Sequence, residues 1–305
     1  MNKGLINRHS TVRNLGLIML ASFVCLAAGP AAQAQGGDEQ EQACTQRSLQ
    51  GDYGYLVTGP DGPATLTATP SGSFWTGPVA AAVGLMTFDG AGGLSARETR
   101  TATGPVSRRI GTGTYLVGNF PAPEASCMGS ATIGGDFSGL SFDFMIVPGS
   151  KGKEFSLVIT NPGKTQTGVA LKTGEEPCSN ASLQGTYRVQ SAGGISLDFG
   201  PTAAVGFRLL DGAGNLTYAE DTISRNGQIM HRVGRSATYS VRSDCTVSEA
   251  FISPVAAERA TFEGVVVAGG REAYFVRTGP DRTGLRPDWT GPLSSSYKRL
   301  GSNEG

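Results

Sequence analysis

The sequence predicts an all-β protein built as two tandem antiparallel up-and-down β-barrels of about eight strands each. Three observations lead there: a long internal repeat, a hydrophobic period of two, and glycine-bearing turns at hairpin spacing. The repeat is explicit. Cys44-Thr-Gln-Arg-Ser-Leu-Gln-Gly-Asp-Tyr53 is answered by Cys178-Ser-Asn-Ala-Ser-Leu-Gln-Gly-Thr-Tyr187. Phe88-Asp-Gly-Ala-Gly-Gly-Leu94 is answered by Leu210-Asp-Gly-Ala-Gly-Asn-Leu216, and Thr114-Tyr115-Leu-Val117 by Thr238-Tyr239-Ser-Val241. Self-similarity over this length marks two copies of one folding unit. With 45 glycines in 305 residues and few long charged runs, the composition suits a turn-rich β chain.

Within each copy the strands follow in order. Leu49, Gly51, Tyr53, Tyr55 and Val57 alternate with polar Gln50 and Asp52, as Leu183, Gly185, Tyr187 and Val189 do with Gln184, Thr186 and Arg188. That alternation is the mark of a half-buried strand. A second strand (79–88 and 202–210) runs into the Asp-Gly-Ala-Gly turn, whose glycines supply positive φ. A third leaves from Leu94 and Leu216, a fourth contains Tyr115 and Tyr239, and a fifth follows Cys127 and Cys245. A sixth (142–147 and 262–267) turns into a seventh (153–159 and 271–277), and an eighth covers 165–171 and 293–300. Eight consecutive antiparallel strands close most economically into a barrel, which removes both sheet edges. A two-sheet sandwich in each copy is the alternative.

The boundaries follow from composition. Residues 1–34 read as a signal peptide, with Lys3, Arg8 and Arg13 before an apolar stretch at 15–28 and Ala32-Gln-Ala34 as the cleavage pattern. Residues 35–43 read as a disordered leader, 44–173 as the first barrel, 174–177 as a linker, 178–300 as the second barrel and 301–305 as a tail. The expected location is outside the cytoplasm, periplasmic or extracellular, with no membrane span after cleavage. Setting aside Cys25 leaves four cysteines, two per copy. In an oxidising compartment these read as disulfides, and the repeat favours Cys44–Cys127 and Cys178–Cys245. Zinc is not expected, because no CxxC pair exists and His231 is the one histidine outside the signal segment. The charges balance at 25 basic and 25 acidic residues, with no basic stripe to suggest nucleic acid.

The pattern Cys-x3-Ser-Leu-x-Gly-x-Tyr, Asp-Gly-x-Gly-x-Leu and Thr-Tyr-x-Val before a cysteine resembles a repeat of exported bacterial proteins of unassigned function. Its strand order is similar to that of small allene-oxide-cyclase-like or lipocalin-like barrels. The resemblance implies a fold and no activity, since none of the cyclase catalytic residues maps onto this chain.

Chemistry is sparse. No GxSxG elbow, HExxH, Walker A loop or dinucleotide fingerprint is present. His231 reads as a surface-loop residue. Asp89 and Asp211 head turns and read as turn formers, not as calcium ligands. Asp143 and Glu263 follow core phenylalanines and are expected to face solvent, and Trp75 and Trp289 to cover barrel mouths. Glu98 and Glu220 are the catalytic candidates: each lies four residues after the leucine that opens strand three, so both are expected on the interior face. Tyr53, Tyr187, Tyr115 and Tyr239 are the ligand-binding candidates. The expectation is a binding protein for a small apolar or amphipathic ligand, without cofactor or metal. A cyclase- or isomerase-type enzyme using the interior glutamates and a cell-surface structural module are the alternatives, so enzyme status is left open.

Overall fold

A computed structural model describes residues 44–63, 65–69, 72–76, 79–102, 106–118, 127–196, 200–225, 227–252, 260–279 and 292–301. The signal-peptide, leader and Trp289 readings, the end of the tail and the side chain of Trp75 lie outside the described residues. The first copy contributes β1 (Gln50–Pro60), β2 (Thr65–Thr69), β3 (Gly72–Thr76), β4 (Val79–Asp89), β5 (Gly93–Thr101), β6 (Ser107–Val117), β7 (Met128–Ile133), β8 (Leu140–Ile146), β9 (Glu154–Ile159) and β10 (Thr167–Lys172). The second contributes β11 (Gln184–Ser196), β12 (Gly200–Asp211), β13 (Asn215–Arg225), β14 (Gln228–Val241), β15 (Thr246–Ile252), β16 (Thr261–Val267), β17 (Glu272–Arg277) and β18 (Leu293–Arg299).

Two closed eight-stranded antiparallel barrels result, in the order β1-β10-β9-β8-β7-β6-β5-β4 and β11 through β18. Closure decides between barrel and sandwich: β1 pairs with both β4 and β10, and β11 with both β12 and β18. The hairpin β2–β3 forms its own two-stranded sheet between β1 and β4, an insertion that the repeat did not foretell. Four short 3-10 turns are the helical structure among the described residues, and none is long and apolar enough to cross a membrane.

Each barrel is fastened at one rim. Cys44 is bonded to Cys127, and Cys178 to Cys245, with Cα separations of 5.2 and 4.9 Å. Disulfides of this kind suit an oxidising, non-cytoplasmic environment. Asp89 Oδ1 accepts from the Ala91 and Gly93 amides and Asp211 Oδ1 from those of Ala213 and Asn215, so both act within their turns. Those bonds hold both carboxyls below the ordinary aspartate range, led by the Ala91 amide at Asp89 and by the Asn215 side chain at Asp211.

The barrels lie side by side. The outer face of β4, carrying Ala81, Val83 and Leu85, packs on Val265 and Val267 of β16 and on Tyr274 and Val276 of β17. Gly54 of β1 makes this approach feasible. A Cβ there would lie 2.4 Å from Val267 Cγ1 and 2.8 Å from Val265 Cγ1. Glu263, expected in solvent, instead faces the first barrel, where it pairs with Arg108 and accepts from Thr99 Oγ1 at 2.6 Å. Burial raises its pKa, but the hydrogen bonds from Arg108 and Thr99 outweigh that and hold the carboxyl below its ordinary value.

Candidate functional site

The four candidate tyrosines are barrel fasteners. Tyr53 and Tyr187 donate to the carbonyls of Gly152 and Gly270, at 2.5 and 2.6 Å. Tyr115 donates to the Gln46 and Leu49 carbonyls, and Tyr239 to those of Asn180 and Leu183. Burial pushes the Tyr53 hydroxyl up to about 12. These hydroxyls tie strands to the closed rim, above which the first barrel is filled by its own rings. Phe88 stands 5.5 Å from Tyr53, 4.9 Å from Tyr115 and 5.7 Å from Phe155, centroid to centroid.

Of the two candidate glutamates, the structure places one inside. Glu98 lies in the first barrel, where Tyr55 donates to its Oε2 at 2.6 Å and Arg109 pairs with its Oε1. The carboxylate is buried, partnered on both oxygens, and consumed by that network. Glu220 lies outside, exposed, within 3.3 Å of the Tyr218 hydroxyl. A β-bulge makes the difference. Leu209 pairs with Tyr218 and Leu210 with Leu216, so Thr217 is an extra residue on β13. One inserted residue exchanges the faces of everything after it. Ala219, Asp221 and Ile223 therefore point inward where Ala96 and Glu98 do in β5. His231 is exposed, as expected, but it lies on strand β14 and not in a loop, with Nδ1 3.2 Å from Thr222 Oγ1.

The second barrel holds a different interior. Arg208 Nη1 lies 2.7 Å from Asp221 Oδ1, and Nη2 donates to Oδ2 at 3.1 Å, a two-pronged pair buried on both sides. Its guanidinium stands 5.4 Å from the Phe251 ring and 6.0 Å from that of Tyr297, while Arg235 covers Phe251 at 4.3 Å. Glu249 completes the group. Tyr297 donates to its Oε2 at 2.9 Å, and Oε1 is buried with no hydrogen-bond partner among the described residues. Burial drives the Glu249 carboxyl up to about 7, against the opposing pull of Arg208. A carboxyl poised near neutrality can donate or accept a hydrogen bond.

The registers show how this interior arose. Ala131 and Glu249 face the equivalent Phe142 and Phe262, Met86 and Arg208 face Tyr53 and Tyr187, and Ala170 and Tyr297 face Tyr55 and Val189. Phe155, which fills the first barrel, corresponds to Ala273 in the second. Rings and aliphatic groups in one copy thus give way to an acid, a cation, a phenol and a small residue in the other. Matching the copies for shared acids missed Glu249, because the site lies where they differ. The signal that could have found it is its alternation with Val247 and Phe251, which places Glu249 on the buried face of β15.

No family model matches the chain, and no curated protein does. Seven solved chains match it structurally. One is a crystal structure from Nostoc punctiforme described as a protein of unknown function from the DUF3598 family. It is 9% identical, and the match covers 83% of this chain and 97% of that one with a TM-score of 0.25.

Proposed function

We propose that this chain is an exported binding protein whose second barrel takes a small amphipathic ligand. The observation that carries the reading is Glu249 Oε1, buried beside Arg208, Tyr297 and Phe251 with no hydrogen-bond partner among the described residues. An orphaned buried carboxylate oxygen is costly, and a ligand hydroxyl or amine would satisfy it. Phe251, and Phe262 at a ring distance of 5.9 Å, offer an apolar wall to the rest of such a molecule. The first barrel, filled by its own aromatic side chains, serves as support. An enzyme of isomerase type is the second reading, favoured by the near-neutral carboxyl of Glu249.

Native mass spectrometry of the purified chain, followed by a thermal-shift screen of small amphipathic molecules on the parent and on Glu249→Gln, tests the binding reading. Retained or stabilising ligands that lose their effect in the variant are expected. A parent that retains no molecule and responds to none in the screen would remove the proposal.

A further inference from the structure

The contact between the barrels joins two different surfaces. The first barrel offers the outer face of β4 and the second the outer faces of β16 and β17. Because the copies are equivalent, each chain carries one more surface of each kind. The second barrel's counterpart of β4 is β12, where Ala203, Val205 and Phe207 stand for Ala81, Val83 and Leu85. The first barrel's counterpart of β16 and β17 is β8 and β9, where Met145 and Val158 stand for Val265 and Val276. These surfaces are open: Val205 is 59% exposed, Leu209 42%, Met145 46% and Val158 43%. Phe207 stacks on Tyr218 of β13 at 5.5 Å, and beyond the polar row Glu220, Thr222 and Ser224 the exposed Ile229 and Val233 stand on β14. Exposed apolar side chains gathered on one barrel face mark an association surface.

We propose that the outer face of β12–β14 docks a second copy of this chain through that copy's β8–β9 face, in the head-to-tail sense by which the barrels already meet within one chain. The polar contacts repeat as well. Within the chain, Thr99 and Arg108, paired across β5 and β6, hold Glu263. The equivalent cross-strand pair in the second barrel is Thr222 with His231, and the equivalent of Glu263 is Asp143. The docked copy brings Asp143 opposite the Thr222–His231 pair. Arg188 and Lys298 stand where the internal contact has Gly54 and Leu171, so the second copy engages from the β12–β14 side. The association is weaker than the internal contact and depends on concentration. A contact between unlike surfaces closes into a ring or extends as a chain.

Sedimentation velocity across a concentration series tests this with the parent chain, Val205→Glu, Val158→Glu and an equimolar mixture of the two variants. Both positions are exposed, and matching far-ultraviolet spectra and melts confirm that the variants fold. The parent should grow beyond monomer with concentration, and each variant alone should remain monomeric. The mixture should form one-to-one pairs that grow no further, because each variant keeps the surface the other lacks. A parent that is monomeric throughout, a variant that associates like the parent, or a mixture that fails to pair would each overturn the proposal.

Discussion

Glu249 sits on the inner face of β15 between Val247 and Phe251, and its environment decides its protonation. Burial raises the folded-state value from 4.5 to about 7. Between those values the folded chain holds a proton that the unfolded chain releases, so this group's contribution to stability is fully present below about 4.5 and is lost as pH rises through about 7. At about 1.4 kcal/mol per pH unit, the loss is on the order of 3 kcal/mol. Thermal melts should therefore show the parent losing stability between pH 5 and pH 8 while Glu249→Gln shows a smaller loss. Equal pH dependence of the two melts would contradict this assignment. A nearby Arg208 does not abolish the effect, because that cation is already engaged by Asp221. The inward position of Glu98 was legible in the sequence, since β5 keeps an unbroken alternation from Leu94. The outward position of Glu220 was not, because nothing in the composition of β13 announces an extra Thr217.

At the scale of the element, that bulge absorbs Thr217 and leaves Asp221 facing Arg208. Deleting Thr217 would remove the bulge and leave Leu216, Ala219 and Asp221 alternating inward as Leu94, Ala96 and Glu98 do in β5, with the Arg208 pair kept. Asp221→Ala would instead leave Arg208 without its bidentate partner, and breaking a buried pair costs about 3–5 kcal/mol. Chemical denaturation should show a loss of that order for Asp221→Ala and a much smaller one for the Thr217 deletion, and an Asp221→Ala midpoint equal to the parent's would contradict the pairing. The cystines act on the same scale. Their sequence separations of 83 and 67 residues correspond to about 4–5 kcal/mol each in the chain-entropy model. Cys44→Ser with Cys127→Ser should lower stability by up to that amount, read from urea unfolding of the parent and the double variant. Strand positions were readable from the period of two and the glycine turns. The β2–β3 hairpin was not, since it occurs in one copy and so had no second sequence to answer it.

For the whole molecule, the relation between the barrels matters more than the short joint at 174–177. The sequence suggests separable halves, because that joint is polar and carries Pro177. The structure instead buries Val265, Val267, Tyr274 and Val276 against the β4 face, and the two barrels belong to one compact unit. Fragments 44–175 and 177–305, expressed separately under oxidising conditions, should each bind a hydrophobic dye and unfold at lower temperature than the intact chain. Their co-expression should restore the parent melt. Independent fragments with parental stability and no dye binding would show that the shared face contributes little. The signal for this face was the loss of alternation in Val79–Met86 and Val265–Val267, where apolar residues occupy both sides of the strand.

The cystine, the 3-10 turn and the tyrosine hydroxyls of each barrel all gather at one rim, where β1 begins and β8 turns into β9, and likewise β11, β16 and β17. A cylinder riveted at one end fluctuates most at the other. Backbone amides of β11 near Tyr187 should exchange with solvent deuterium far more slowly than those near Ser191 on the same strand. Glu249 lies toward the looser half of its barrel. A guest could reach it by transient parting of strand ends there, without the barrel ever coming undone.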